Sequence, residues 1–333
     1  MTKLFNMNLS VNYLGLKLKS PIIAGSSSLT MNLNNLKKIE KAGAGAIILR
    51  SLFEEEITLE YNHLVKAGVE SEGYMDYYDV KIKNDNINNY LEYIKDAKAT
   101  VNIPIIASIN CTSSHEWTYF AKKLEEAGAD AIELNMFIMP SDFDKTCTEV
   151  QNIYMDIIDK VKTNTKLPIS VKLSYYFADL ARFVKEISSK VDGVVLFNRF
   201  FHPDFDIENF KITSTNVLSR TTDIAISLRW ISILAGKVDS SLIASTGVHD
   251  GQSVIKEILA GADATQVVSA LYKHGIEYIE DMTTELKDWM QRHEFDSLDD
   301  FRGKMSQKNI ENPAVVERVQ FMNYFESKKY DFE

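Results

Sequence analysis

The feature that most constrains the fold is a repeat in which a short β-branched run, an amphipathic helical stretch and a closing Ala-Gly pair follow one another. Three of the closures are nearly alike: A-G-A-G-A at 42–46, and A-G-A-D-A at 127–131 and 260–264. Glycine directly after a helix accepts a positive φ without a steric clash, so the chain can turn straight into the next strand. The repeat therefore predicts parallel strands joined by helices.

Eight β-branched runs predict eight strands. They span residues 21–24, 46–49, 104–108, 131–134, 169–173, 193–197, 241–244 and 264–268. Apolar residues at intervals of three and four predict intervening helices at 117–126, 150–162, 178–188, 226–234 and 253–259. Eight strand–helix units in 333 residues place the chain in the α/β class and favour a closed (β/α)8 TIM barrel over an open doubly wound sheet.

Two connections, residues 52–90 and 199–224, are longer than a barrel needs. Both follow predicted strands, so both are expected on the face where barrel enzymes do chemistry, as substrate walls or a subunit contact. A further helix is predicted at 277–292, and a charged, aromatic tail follows. We therefore predict a barrel domain with extended loops over 1–305, and a C-terminal helical tail over 306–333 that packs on the barrel or on a partner subunit.

Composition excludes several classes of partner. The net charge is -10, from 47 acidic against 37 basic residues, and this surface repels nucleic acid. No apolar run approaches the roughly 18 residues of a membrane span. The two cysteines, Cys111 and Cys147, lack metal-site spacing, so neither a bound metal nor a structural disulfide is expected. We predict a soluble, cytoplasmic protein that acts on a small molecule.

Polar or small residues end every predicted strand. In a barrel, the residue that ends a strand faces the active-site mouth, so these side chains are expected to converge on one site. The set is Gly25, Ser26, Arg50, Ser51, Asn110, Asn135, Lys172, Asn198, Ser245, Thr246, Gly247 and Ser269.

Lys172 is the most unusual of these residues, because a lysine inside a buried strand needs an anionic or strongly polar partner. It would stabilise the negative charge of a reduced flavin, or it would form a Schiff base as in barrel aldolases. The turn at 245–251 and the run at 262–271 belong to the last two strands, where barrel enzymes bind phosphate. One phosphate site and no strand-GxGxxG-helix motif favour FMN over FAD or NAD.

Several segments resemble the dihydroorotate dehydrogenases, especially the soluble class 1 enzymes. They are S-P-I-I-A-G-S-S at 20–27, E-L-N at 133–135, V-K-L at 171–173, L-F-N at 196–198, G-V-H-D-G at 247–251, I-L-A-G-A at 258–262 and D-D-F-R-G-K at 299–304. The resemblance implies a homodimer that binds FMN and oxidises dihydroorotate to orotate in pyrimidine biosynthesis. It also implies that Gly25, Ser26, Ser51, Asn135, Lys172, Asn198, Ser245, Thr246, Gly247 and Ser269 contact FMN.

The substrate side departs from the family pattern. The position of the family's proton-abstracting cysteine or serine is Ile138, which cannot accept a proton, and a later substrate-binding asparagine is replaced by Pro140. The family's N-x-x-G-L-P-N loop is also missing at 70–76. The remaining candidates for substrate binding are Arg50, Asn110, Asn135, Asn198 and Arg199.

The catalytic residues are therefore predicted to be Lys172 and, as a substitute base, Cys147, with Ser141 and Tyr175 as alternatives. Two histidines, His202 and His249, are candidate acids near the mouth. The first hypothesis is an FMN-dependent oxidoreductase acting on dihydroorotate. The alternatives are an FMN oxidoreductase with a different, carboxylate-bearing substrate, and a non-catalytic FMN-binding protein that has lost its base.

Overall fold

The computed structural model describes residues 7–53, 75–110, 117–199, 202–214 and 217–317. The strands of these residues are β1 (Val11–Tyr13), β2 (Leu16–Leu18), β3 (Ile22–Ala24), β4 (Ala46–Ile48), β5 (Leu52–Phe53), β6 (Ile105–Asn110), β7 (Ala131–Asn135), β8 (Ile169–Leu173), β9 (Gly193–Leu196), β10 (Pro203–Asp206), β11 (Lys211–Ser214), β12 (Ser241–Ser245) and β13 (Ala264–Val267). The α-helices are α1 (Leu33–Lys41), α2 (Met75–Thr100), α3 (Trp117–Glu126), α4 (Cys147–Asn164), α5 (Leu180–Ser188), α6 (Ile224–Leu234), α7 (Gly251–Ala260), α8 (Ser269–His274), α9 (Tyr278–Arg292) and α10 (Ala314–Glu317).

Eight parallel strands form a closed ring. Their order around it is β3, β4, β6, β7, β8, β9, β12 and β13, and β13 pairs back onto β3 with Thr265 opposite Ile22. Each of these eight strands was predicted from the sequence, with ends that agree to within two residues. The predicted (β/α)8 TIM barrel is therefore confirmed, and its helices cover the outside of the ring.

An N-terminal hairpin closes the end of the barrel where the strands begin. Strands β1 and β2 pair antiparallel, and Tyr13 is completely buried. A Cβ atom at Gly193, the first residue of β9, would lie 2.8 Å from Leu14 and 3.0 Å from Tyr13. Glycine at this position therefore lets the hairpin pack against the strand, and the opposite end of the barrel is left for a ligand.

The first long connection contains more helix than the sequence suggested. Residues 52–90 were predicted as a connection, but helix α2 begins at Met75 and continues to Thr100. Its buried residues Ile87, Tyr90 and Ile94 recur at helical spacing, so the signal was present within a stretch rich in asparagine. Residues 54–74, which include most of the missing loop motif, lie outside the described residues.

The second long connection carries a hairpin. Strands β10 and β11 pair antiparallel, with Phe205 opposite Ile212. Both of these side chains are exposed, as are those of Ile207 and Phe210 in the turn between the strands. This connection follows β9, so the hairpin stands on the face of the barrel at which the strands end.

The residues beyond α9 continue against the barrel's outer helices. The backbone N–H of Gln307 donates to the carbonyl of Ser232 on α6, at 2.9 Å. The predicted boundary at residue 305 stays a prediction, and residues 318–333 lie outside the described part of the chain. No helix of the described residues is long and apolar enough to cross a membrane.

One carboxyl group is buried between two outer helices. Glu257 on α7 is completely buried, and its Oε1 accepts a hydrogen bond of 2.6 Å from the Ser227 hydroxyl on α6. Its other oxygen has no hydrogen-bond partner among the described residues. Burial raises the pKa of the Glu257 carboxyl to about 8, because the charged form loses its hydration.

We predict that Glu257 makes the free energy of unfolding decrease as the pH rises. The folded-state pKa lies above the ordinary value of 4.5, so the folded protein holds the proton more tightly and stability declines between pH 4.5 and pH 8. Glu257→Gln cannot ionise, so above pH 8 it should exceed the wild type in unfolding free energy by on the order of 5 kcal/mol. Urea unfolding at pH 5 and pH 9 measures the difference.

The matched control is Glu280→Gln, which removes an exposed carboxyl from α9. This variant should follow the wild type at both pH values. The same stabilisation by Glu257→Gln at pH 5 as at pH 9 would contradict the assignment of a buried titrating group.

Candidate functional site

The ends of the barrel strands surround a cavity of about 630 Å³. Its lining comes from the ends of β3, β8, β9, β12 and β13 and from the second long connection. Of the predicted site residues it includes Ser26, Lys172, Asn198, Arg199, Ser245, Thr246, Gly247 and Ser269. The structure thus brings together residues that are as much as 243 positions apart, as the strand-end argument predicted.

Two further predicted residues support this lining from behind. The Ser51 backbone N–H donates to Ser26 Oγ at 3.0 Å, and the Ser51 hydroxyl lies 2.7 Å from that of Ser108. Asn198 donates through Nδ2 to Asn135 Oδ1, at 2.6 Å. These bonds fix the orientation of Ser26 and Asn198 at the edge of the cavity.

Lys172 lies at the base of the cavity, where it is only 8% exposed. Its ammonium donates a hydrogen bond of 2.7 Å to Gln266 Oε1 and lies 3.7 Å from Glu133 Oε1. Gln266 in turn donates through Nε2 to Glu133 Oε2, at 2.5 Å. An anionic or strongly polar partner was expected for this lysine. The protein provides both kinds, the Glu133 carboxylate and the Gln266 amide.

The two partners of Lys172 were not predicted as site residues. Glu133 and Gln266 lie within strands β7 and β13 rather than at their ends, and both are buried. The signal that could have found them is their polarity, because an ionisable or amide side chain inside a buried strand needs a partner as much as Lys172 does.

The turn after β12 shows why this position needs glycine. Thr246 and Gly247 both have positive φ, 78° and 81°, and the Thr246 hydroxyl donates to the carbonyl of Phe197. A Cβ atom at Gly247 would lie 2.1 Å from the backbone nitrogen of Ile224, the first residue of α6. The turn therefore lies directly against the start of a helix, where backbone N–H groups and the helix dipole favour an anion.

Hydroxyl groups and a cation surround the same end of the cavity. The Ser219 backbone N–H donates to Ser269 Oγ at 2.9 Å, and Lys273 Nζ donates to the Ser219 carbonyl at 3.0 Å. The Ser219 hydroxyl is hydrogen-bonded to His249 Nε2 at 2.9 Å. Burial, and then the charge of Lys273, lower the pKa of His249, so its imidazole is neutral at neutral pH and it holds Ser219.

Arg199, a predicted substrate-binding residue, joins the beginning of the second long connection to its end. Its NH1 donates to Asp223 at 2.8 Å, and its Nε and NH2 donate to the carbonyls of Val217 and Leu218, each at 3.1 Å. All three guanidinium nitrogens are engaged in this way. The arginine lines the cavity while its charge is offset by an aspartate.

The other substrate-side candidates lie apart from the cavity. Cys147, the predicted substitute base, is exposed at the first turn of α4, and Ser141 is also exposed. Arg50 and Asn110 are half-buried and are not among the residues that line the cavity. Of the predicted acids, His202 does line it and is exposed.

Tyr175 is poorly suited to act as a base. The neighbouring Tyr176 hydroxyl, and then burial, raise the pKa of Tyr175 to about 12, so the phenol keeps its proton at neutral pH. At the family's base position, Ile138 packs against the core and its backbone N–H donates to the Tyr154 hydroxyl at 3.0 Å. The described residues thus place no ionised base at the position where the family has one.

We predict that Gly247→Ala abolishes the uptake of FMN, the cofactor expected from the sequence. The new Cβ would clash with α6, and alanine also resists a φ of 81°. The matched control is Gly43→Ala, at a φ of 95° with no atom within 4 Å of the new Cβ, which should cost only about 1 kcal/mol. Thermal melting and flavin content of the purified variants measure both effects, and equal flavin content in the two would contradict this role for the turn.

Comparison with known proteins agrees with this geometry. The family model described as dihydroorotate dehydrogenase matches residues 8–290. The catalytic subunits of dihydroorotate dehydrogenase B (NAD(+)) from Thermoplasma volcanium and Thermoplasma acidophilum are 27% and 25% identical over 317 residues, which cover 89% of this chain and 98% of each relative. The same subunit from Methanocaldococcus jannaschii is 27% identical over 287 residues, 84% of this chain and 92% of the relative. The chain therefore belongs to the dihydroorotate dehydrogenase family.

Proposed function

We propose that this protein is an FMN-dependent oxidoreductase of the dihydroorotate dehydrogenase type, acting on a CH–CH bond of a small planar substrate. The observation that carries the proposal is the buried Lys172 ammonium at the base of a 630 Å³ cavity at the barrel mouth. Together with the family membership, it favours the flavin interpretation of this lysine over a Schiff base. Dihydroorotate is the substrate named for the relatives and is the first to test.

The residues present fit FMN. The cavity volume lies within the range of about 300–1,000 Å³ that small-molecule sites occupy. One end offers the Thr246–Gly247 turn and the Ser269 hydroxyl for a single phosphate, and the other offers Lys172 for the polar edge of a flavin ring. FMN, once bound, supplies a two-electron acceptor for hydride.

The residues of the chain orient the reactants and hold charge. Lys172 places a positive charge where negative charge develops, which is the preorganised electrostatic stabilisation that enzymes use most. The hydrogen bond from Asn198 to Asn135 orients two amides beside the cavity, where they can position a planar substrate. The connection held by Arg199 covers one side of the cavity and limits its access to water.

Proton removal is the step in which this protein differs from its family. Because Ile138 cannot accept a proton, dihydroorotate would lose its proton without the family's base. This substitution favours a second candidate, an FMN oxidoreductase of the same fold with a different substrate. The engagement of Arg199 with Asp223 weakens the hypothesis that Arg199 binds a substrate carboxylate, and a non-catalytic FMN-binding protein is the third possibility.

We also propose a homodimer in the cytoplasm. The two-cysteine content suits a reducing compartment, and the exposed apolar side chains of the β10–β11 hairpin suit a contact between copies. The relatives are named as catalytic subunits, so a second kind of subunit is an alternative partner. Sedimentation of the purified chain distinguishes a dimer from a monomer.

We predict that a base introduced at position 138 accelerates the oxidation of dihydroorotate. The FMN-loaded wild type, Ile138→Cys and the control Ile138→Val are mixed anaerobically with dihydroorotate, and loss of the flavin absorbance is followed. General base catalysis contributes about 100-fold or more, so Ile138→Cys should bleach at least that much faster than Ile138→Val. Cys147→Ser should behave as the wild type does, because Cys147 is exposed at the first turn of α4 and is not at the family's base position.

Each outcome separates the candidates. Bleaching of the wild type as fast as Ile138→Cys would show that another group serves as the base. No bleaching in any variant, with flavin fully bound, would exclude dihydroorotate and leave the second and third candidates.

A further inference from the structure

The carboxylate of Glu133 lies beneath Lys172, inside the barrel. We infer that Glu133 is a positioning residue that offsets the charge of Lys172 and thereby lowers the reduction potential of the flavin. This inference rests on the proposed function, because it concerns a flavin bound above Lys172. It assigns a role to a residue that does not line the cavity.

The register of the barrel strands places the two charges in successive layers. Asn135 pairs with Lys172 across β7 and β8, and Glu133 is two residues nearer the strand's beginning. Alternate residues of a strand face the same side, so Glu133 and Asn135 point the same way, with Glu133 one layer deeper. The ammonium thus has the carboxylate below it and the cavity above it.

The contacts of the carboxylate pair its charge with that of Lys172. Glu133 is completely buried, and its Oε1 has no hydrogen-bond partner among the described residues, although it lies 3.7 Å from Lys172 Nζ. Its Oε2 accepts from Gln266, the same amide that accepts from Lys172. A buried carboxylate is costly unless it is paired, and the ion pair that the structure gives it is with Lys172.

The consequence for a bound flavin follows from the signs of the charges. Reduction adds negative charge to the flavin, and the Lys172 ammonium stabilises that charge. The Glu133 carboxylate repels the added charge, and it also attracts the ammonium away from the cavity. Both interactions are strong because the charges are close together and buried. The carboxylate therefore makes reduction less favourable than Lys172 alone would.

The test is the midpoint potential of bound FMN in Glu133→Gln, measured anaerobically with reference dyes. We expect the reduction equilibrium to shift tenfold towards reduced flavin, which is about +30 mV for a two-electron couple. If Glu133→Gln does not fold, Glu133→Met removes the same charge with an apolar side chain of similar length. Glu133→Asp keeps the charge and should stay near the wild-type potential.

The matched control is Glu257→Gln, which also removes a fully buried carboxyl but lies on α7, with Ser227 as its partner. It should leave the potential unchanged. If Glu133 had only a structural role, its variants would alter the melting temperature and the flavin content. The midpoint potential would then not rise specifically in the variants that lack the negative charge.

The outcomes separate this inference from the proposed function. A wild-type protein that takes up no FMN contradicts the proposed function and this inference together. Flavin bound in every variant, with the potentials of the neutral variants unchanged or lower than the wild type, contradicts this inference alone.

Discussion

A closed ring of parallel strands can enclose a charged side chain only where something compensates that charge, and in this protein the charge is the Lys172 ammonium. It is 8% exposed, at the base of the cavity where the barrel strands end. Gln266 and Glu133 compensate it from within the barrel. The open side of the ammonium faces the cavity, so the site is built to receive a group that carries or gains negative charge.

The rest of the mouth offers two chemically different ends to a ligand. Lys172 meets one end, while the Gly247 turn, Ser269 and the start of α6 meet the other, where backbone N–H groups favour a phosphate. His249 is kept neutral by its surroundings and holds Ser219 in place at this second end. The two ends together suit a mononucleotide flavin better than a dinucleotide.

The family pattern is kept at one set of residues and changed at another. Five of the seven segments that resemble the family include a residue that lines the cavity or supports its lining, whereas Ile138 and Pro140 replace residues that would act on the substrate. Arg199 joins Asp223 and two backbone carbonyls near the end of the second long connection, several residues of which line the cavity. The resemblance is therefore strongest at the residues that we expect to hold a flavin and weakest at those expected to act on the substrate.

The barrel was predictable because each of its strands is a short apolar run followed by a polar residue, and periodicity reports that arrangement directly. Lys172 was predictable as well, since a lysine in a buried strand violates the rule that buried groups are apolar. The pairing of Glu133 and Gln266 with it was not predictable, because contacts across the barrel join residues as much as 133 positions apart and no local pattern encodes them. Helix α2 was missed in part because asparagine-rich sequence hides an apolar stripe.

Sequence reasoning also could not show how a candidate side chain is used. Arg199 is hydrogen-bonded to the connection that follows it, and Cys147 is exposed at the start of a helix. Both positions depend on the path that the chain takes after the strand ends. A strand end fixes where a residue lies, but the partners of a long side chain are fixed by loops whose conformation has no simple periodicity.

The measurement that tests the central claim most directly is a fluorescence titration of the flavin-free protein with FMN and, in parallel, with riboflavin, which lacks the phosphate. If the cavity holds a flavin by its ring at Lys172 and by its phosphate at the Gly247 turn, FMN should bind about 100-fold more tightly than riboflavin, as the loss of charge-assisted hydrogen bonds implies. Equal affinities would contradict the phosphate site, and a protein that binds neither compound would contradict the flavin barrel itself.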